Sequence, residues 1–244
     1  MNSAPGVREG PVLVAHRLHK EYASGGGPLK VLQGVDIEVY AGETVAVVGA
    51  SGAGKSTLLH LLGGLDRPTS GSVVLADCHL NRLSDIELSR LRSQRLGFVF
   101  QFHHLLLEFS ALENVAIPLR IQGVEEEEAS RRAKVVLEEV GLGARLTHRP
   151  SALSGGEQQR VAVARALVHE PVLVLADEPS GNLDRANSEH LHELMFSLAR
   201  EKRVAFVVAT HDEGLAKRTD RVLRIEDGVV EHVRAHPEWA GTRD

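Results

Sequence analysis

The sequence predicts an α/β fold built on a largely parallel, buried sheet, and three observations carry that prediction. Residues 44–48, 172–176 and 204–210 are short aliphatic runs without polar alternation, as expected of strands covered on both faces. Segments of helical periodicity lie between them, so strands and helices alternate as in parallel βαβ units. Aromatics are scarce, with 6 Phe, 2 Tyr and 1 Trp, so aliphatic side chains must fill the interior.

The bulk properties narrow the class. A chain of 244 residues suits one large domain, or a core carrying a smaller insertion. Lys plus Arg number 28 against 33 for Asp plus Glu, a net charge of −5, so no basic surplus is available to neutralise a phosphate backbone and no nucleic-acid partner is expected. No apolar run approaches the roughly 18 residues of a membrane span. The opening MNSAPGVREG lacks the charged and apolar regions of a secretory signal. Cys78 is the only cysteine, which excludes an internal disulfide and suits a reducing cytosol.

In chain order, residues 12–15 and 31–39 read as strands on either side of the turn Ser24-Gly25-Gly26-Gly27-Pro28, an antiparallel edge. The run 44–48 ends in glycine and is followed by helical character over 56–62. Residues 96–100 form another strand candidate and lead into an apolar loop, 102–109, after which the pattern is helical for about fifty residues. The best helix there carries Ala129, Ala133, Val136, Leu137 and Val140, preceded by Glu125, Glu126, Glu127 and Glu128 as a solvated acidic first turn. From Ser154 a helix runs through Leu167, then come a strand at 172–176, a helix near 189–200 and a strand at 204–210. Residues 221–233 contain Asp227-Gly228 between apolar stretches and predict a closing hairpin. Trp239 reads as a packing anchor for a frayed tail. His190-Leu191-His192-Glu193 lacks the spacing of a metal motif and reads as surface.

Three segments carry chemistry. Gly49-Ala50-Ser51-Gly52-Ala53-Gly54-Lys55-Ser56 matches G-x-x-x-x-G-K-[ST] between a strand and a helix. Its glycines let backbone N–H groups turn inward as an anion nest at a helix N-terminus. Lys55 is then placed to reach the β and γ phosphates of a nucleotide, and Ser56 to bind Mg²⁺, with Thr57 beside it. The strand ending Asp177-Glu178 supplies two carboxylates: Asp177 to orient the Mg²⁺ shell and Glu178 to polarise attacking water. Ser154-Gly155-Gly156-Glu157 is a capping box whose two glycines leave bare N–H groups at a positive helix end, a second anion site. One γ-phosphate already wrapped by the first loop does not need it, so it is expected to serve a nucleotide held by another subunit.

With Leu153-Ser154-Gly155-Gly156-Glu157-Gln158 added to both nucleotide motifs in order, the chain resembles the ATP-binding-cassette family over essentially its whole length. That resemblance implies a P-loop NTPase (RecA-like) core with an antiparallel β-subdomain and an inserted α-helical subdomain. The core and β-subdomain would take up approximately 1–95 and 160–244, and the helical subdomain approximately 96–159. It also implies ATP and Mg²⁺ as cofactors and a homodimer in the ATP-bound state. By the same resemblance Gln101 touches Mg²⁺ and water, Ser180-Gly181-Asn182-Leu183-Asp184 crosses the dimer, His211 contacts the γ-phosphate, and Tyr22, 27 residues before Gly49, stacks on adenine.

Three stretches resemble the lipoprotein-releasing branch of the family: 58–66, 101–109 and Ala111-Leu112-Glu113-Asn114-Val115, although Leu107 stands where that branch carries proline. The resemblance implies an ATPase on the cytoplasmic face of the inner membrane, touching the membrane only through two integral membrane subunits. The apolar 102–109 segment would be the groove that receives them. The resemblance extends, less tightly, to macrolide-export and cell-division relatives, and a cell-division ATPase would share every motif named above. A soluble cassette ATPase acting as a scaffold stays open, although the 122 positions from Lys55 to Asp177 leave no room for the long coiled-coil arms of repair machines.

Overall fold

The computed structural model describes residues 10–23, 25 and 27–235. Trp239, residues 1–9 of the opening segment, and Ser24 and Gly26 of the glycine turn therefore lie outside the described residues. The architecture is α/β, with two sheets and helices packed on them.

Strands β1 (Leu13–Tyr22) and β2 (Leu29–Val39) pair antiparallel, as the turn between them predicts. They are joined by β4 (Ser70–Leu75) and the two-residue β5 (Cys78–His79) in an antiparallel sheet of order β2-β1-β4-β5. The sequence reading left 66–95 unassigned, and there the chain forms β4, β5 and helix α2 (Asp85–Arg95). Ser70-Gly71-Ser72 at the start of β4 has turn composition, and Leu88 is the only buried residue of α2, so neither element shows an apolar period.

The second sheet has order β10-β9-β3-β8-β7-β6. Its members are β3 (Thr44–Val48), β6 (Leu96–Phe100), β7 (Leu173–Asp177), β8 (Ala205–Ala209), β9 (Arg221–Glu226) and β10 (Val229–Ala235). All its pairings are parallel except β9 with β10, the expected hairpin. Asp227 and Gly228 turn it at φ of +49° and +77°, the two left-handed residues that a tight hairpin of native twist requires.

Strand side chains feed two cores. Val45, Val47, Leu173, Leu175 and Val207 face the antiparallel sheet and helix α1 (Lys55–Leu62), whereas Val174, Ala176, Phe206 and Val208 face the other helices. These are α3 (Ala111–Ile121), α4 (Glu126–Glu139), α5 (Gly155–Leu167) and α6 (Arg185–Lys202). Helix α7 (Glu213–Arg218) follows β8. The period read in α4 is the buried one: Ala129, Ala133, Val136 and Leu137 face inward, with Val140 just beyond, while Glu125, Glu126 and Glu127 are exposed. Leu58, Leu61 and Leu62 of α1 are fully buried, each contributing roughly 1.5–3 kcal/mol, which fixes the helix that follows the glycine loop. Among the described residues no helix is long and apolar enough to cross a membrane.

Candidate functional site

Four adjacent parallel strands, β3, β8, β7 and β6, end on one edge of the central sheet, and each delivers a sequence-predicted residue there. In such sheets the carboxyl ends of strands are where ligands bind, because helix N-termini and loops converge there. The Gly49–Gly54 loop leaves β3, His211 follows β8, Asp177 ends β7, and Gln101 follows β6.

The loop runs directly into α1, whose N-cap is Gly54 at φ +104° with no side-chain cap, so the first N–H groups of the helix stay bare. Lys55 curls over the loop, its ammonium donating to the carbonyls of Gly49 (3.0 Å) and Ala50 (3.2 Å). Ala50, Ser51, Gly52 and Ser56 are exposed, while Ala53, Lys55 and Thr57 are half-buried. Ala50, Ser51, Gly52 and Ala53 line one wall of an open cleft of about 1080 Å³, and His211 lines another.

Glu178 and His211 are brought together, His211 Nδ1 lying 2.9 Å from Glu178 Oε2. Glu178 occupies left-handed backbone at φ +47°, and its N–H donates to the carbonyl of Ala209 at the end of β8. A non-glycine residue in this region carries strain, and such strain concentrates at functional positions. Asp177 is half-buried, in register with Phe100 on one side and Ala209 on the other, one residue from Gln101 and two from His211. The Gln101 amide donates to Asn182 Oδ1 (3.2 Å), and the Asn182 amide donates back to the Gln101 carbonyl (3.1 Å). Ser56, Asp177 and Gln101 offer hydroxyl, carboxylate and amide oxygens, the hard donor set that suits Mg²⁺.

Tyr22 ends β1 beside the first turn of α1, within hydrogen-bond reach of Thr57. Its hydroxyl donates to Asp66 (2.9 Å), and the Lys20 ammonium sits 4.7 Å from the ring centroid. Partial burial, then the bond to Asp66, holds the phenol above its ordinary pKa. Lys20 and Asp66, which hold this ring, belong to no nucleotide motif in the sequence. An Asp between Leu65 and Arg67 after a helix carries no pattern that points to a distant tyrosine.

Ser154-Gly155-Gly156-Glu157 opens α5 as the expected capping box. Ser154 Oγ accepts from the Glu157 N–H (3.2 Å), and Glu157 accepts from the Ser154 N–H (2.8 Å) and from Arg145 (3.0 Å). The Ser154 bond and then Arg145 keep the Glu157 carboxyl below the usual carboxylate range. A Cβ at Gly156 would meet Asn187 Oδ1 at 2.7 Å, and one at Gly155 would approach Leu183 at 3.7 Å. The turn thus lies against the start of α6. Asp184 caps that helix, accepting from the Asn187 N–H (3.0 Å) and side-chain amide (2.6 Å), bonds that hold its carboxyl low. Among the described residues no hydrogen bond or ion pair joins Ser154, Gly155, Gly156 or Glu157 to the Gly49–Gly54 loop of the same chain.

The reading of 190–193 as surface holds for His190 and Glu193 and is corrected at His192. His192 is buried, and its Nε2 lies 2.8 Å from Ser180 Oγ. It continues the apolar stripe of Phe196 and Ala199 at i+4 and i+7, the spacing that marks it as inward-facing.

The 102–109 segment divides. Leu105 packs against the helical core, whereas Phe102, Leu106, Leu107 and Phe109 are exposed.

Comparison with known proteins accords with this geometry. The model of the ABC transporter family matches residues 32–181. The chain is 50% identical over 217 residues to the lipoprotein-releasing system ATP-binding protein LolD of Legionella pneumophila strain Lens, covering 89% of this chain and 96% of that one. It is 56% identical over 217 residues to LolD of Xanthomonas axonopodis pv. citri, covering 89% of each. Among solved structures, a dimeric ATP-binding cassette, MJ0796, in a post-hydrolysis state with ADP and phosphate is 37% identical, with a TM-score of 0.83 over 91% of this chain and 99% of that one. A glycine loop, a strand-end carboxylate pair and a signature turn, disposed on a fold shared with an ADP-bound cassette and matched by the family's own model, place the chain in the ABC transporter family, to which it belongs.

Proposed function

We propose that this chain is the ATP-hydrolysing subunit of a lipoprotein-releasing transporter, working as an ATP-bound homodimer beneath two integral membrane subunits at the cytoplasmic face of the inner membrane. The observation that carries the ATPase reading is the convergence of Lys55, Asp177, Glu178, His211 and Gln101 on one sheet edge. The transport reading rests on relatives of that name spanning nearly the whole chain.

In this reading Gly49, Ala50, Ser51, Gly52, Ala53 and Gly54 wrap the phosphates with backbone N–H groups, and Lys55 exchanges the loop carbonyls for β- and γ-phosphate oxygens. Ser56, Asp177 and Gln101 hold Mg²⁺, which when bound neutralises charge developing on those oxygens. Glu178 accepts a proton from the attacking water. His211, already 2.9 Å from that carboxylate, orients it and reaches the γ-phosphate. Tyr22 offers the ring face away from Lys20 to adenine. Ser154, Gly155, Gly156 and Glu157 complete the site of the second subunit, with Asp184 and its loop crossing between the two. We further propose residues 96–159 as the segment that transmits closure, with the exposed Phe102, Leu106, Leu107 and Phe109 as its membrane-partner surface.

Glu178→Gln tests the catalytic assignment. A general base contributes about 10²–10⁴ in rate, so turnover should fall by that factor while ATP binding persists and light scattering shows the mass doubling with ATP. Retained turnover or an unchanged mass would sink the assignment. Copurification of the tagged chain from detergent-solubilised membranes, read by mass spectrometry, tests the transport reading. Two related polytopic subunits support lipoprotein release; one membrane protein type supports the export or cell-division relatives, and a lone chain supports a scaffold.

A further inference from the structure

The loop Ser180-Gly181-Asn182-Leu183-Asp184 is tied down at three points. Asn182 exchanges two bonds with Gln101, and Asp184 caps α6, both at exposed positions. The third tie is of another kind. Ser180, at the base of the loop, is 8% exposed, and its hydroxyl meets Nε2 of His192, 3% exposed, at 2.8 Å in the third turn of α6. Ser188, one turn earlier, reaches the Ser180 carbonyl at 3.4 Å. A hydrogen bond shielded from water has no solvent replacement when broken, so the buried tie is the one that fixes the loop's geometry.

We infer that His192 is a positioning residue, which through its buried bond to Ser180 fixes the base of the loop two residues from Glu178 and thereby sets how Asn182 and Asp184 are presented. The inference rests on the proposed reading of this loop as the one that crosses the dimer. Ser188, the other α6 side chain that reaches Ser180, is only partly buried and meets its carbonyl at the longer 3.4 Å.

The neutral imidazole is the form that fits. Either tautomer satisfies the serine hydroxyl, as acceptor or as donor, whereas a protonated ring would place a charge in the core. The groups that face it are Asp212, which caps α7, and Glu189 on its own helix, both favouring the charged ring, and Arg218 of α7, which opposes it. Burial outweighs them and holds the imidazole below its ordinary pKa. Protonation in acid should therefore loosen the loop.

The test uses the full chain as wild type, His192→Phe, His192→Gln and His192→Phe with Ser180→Ala. Amide-exchange protection factors over 180–184 and the kcat and KM for ATP are measured between pH 5.5 and 7.5. Phenylalanine fills the space without the bond, so protection across 180–184 should fall about 5- to 10-fold, with β7 and β8 unchanged, and kcat should fall by a similar factor with KM moving less than about twofold. Glutamine restores a polar atom near the Nε2 position without a titrating group. At pH 7.5 it should recover both readouts and abolish the acid-side loss seen in wild type. Adding Ser180→Ala to His192→Phe should cost less than a further factor of about two, because both remove the same bond. Unchanged protection in His192→Phe, protection lost evenly through the molecule, or glutamine no better than phenylalanine would each overturn the inference. A wild-type chain without ATP turnover would instead count against the proposed function, and the exchange data would still decide the role of His192.

Discussion

At Gly49 the first residue of the phosphate loop passes so close to β9 that a Cβ would stand 2.6 Å from the Ile225 carbonyl oxygen. That neighbour is strand backbone, one residue past the last register pair of β3 with β9 and itself paired with Val230 of β10, so it cannot step aside. Gly49→Ala should therefore displace the loop rather than the strand, lowering thermal stability by about 1–3 kcal/mol, the usual penalty for overpacking. Affinity for a fluorescent ATP analogue should fall with it, and an alanine variant that binds normally would show that the loop has slack and refute the close-approach account. The pairing of Glu178 with His211 belongs to this scale too. Two residues 33 positions apart come within 2.9 Å because β7 and β8 are neighbours and both end at the same edge.

Among the elements, α3 shows how a buried polar residue organises a loop that apolar composition alone would leave ambiguous. Asn114 is fully buried one turn into the helix. Its Oδ1 accepts from the Leu106 N–H (2.8 Å), and its amide donates to the carbonyls of Leu106, Phe109 and Ser110 at 3.0–3.1 Å. These bonds hold the turn over 106–110 so that Leu106, Leu107 and Phe109 stand outward while Leu105 packs inward. Asn114→Ala would take this partner from the Leu106 N–H and the Phe109 carbonyl, while the Leu106 and Ser110 carbonyls keep their backbone partners, at a cost of up to about 1–3 kcal/mol for a buried group left unpaired. Limited proteolysis should then cut within 104–109 in the variant well before wild type, with ATP binding retained. Equal cleavage rates would refute the pinning role. The capping boxes at Ser84–Glu87, Ser110–Glu113 and Ser154–Glu157 are, by contrast, plain in the sequence as S-x-x-E, and each forms.

For the molecule as a whole, three partly to fully buried histidines set an acid limit on stability. Burial lowers the pKa of His103, His169 and His192 below the ordinary 6.5. Each is thus less basic folded than unfolded, and below pH 6.5 the unfolded chain takes up more protons than the native one. Stability contributed by these groups is present above pH 6.5 and is lost as pH falls from there through the folded values. The carboxylates held low, Glu113, Glu157 and Asp184 among them, act in the same direction but only in more acidic solution, below their unfolded values. Thermal melting should accordingly show a first decline between pH 6.5 and 5.5, at roughly 2–4 °C for each kcal/mol lost, separated from a second below about pH 4.5. Substituting Gln at His169, whose Nε2 meets the Leu96 carbonyl at 2.9 Å, should reduce the first decline and leave the second. A melting temperature flat from pH 7.5 to 5.5 would contradict this account.

The sequence by itself determined the fold class, the parallel core strands, the phosphate loop, the strand-end carboxylates and the capped signature turn. Each of these is a local pattern, an apolar run or a fixed spacing, whose physics is complete within a few residues. It left β4, β5 and α2 unassigned, because a strand that opens on Ser-Gly-Ser and a helix that buries only Leu88 carry no period to detect. Tertiary structure alone decided what meets what across the chain: Tyr22 with Asp66, Gln101 with Asn182, and His192 turned inward to Ser180 where a charged, histidine-rich helix segment suggested surface. Such pairings join residues up to 81 positions apart, and their geometry is set by the order in which strands and helices pack, which no short window of sequence contains.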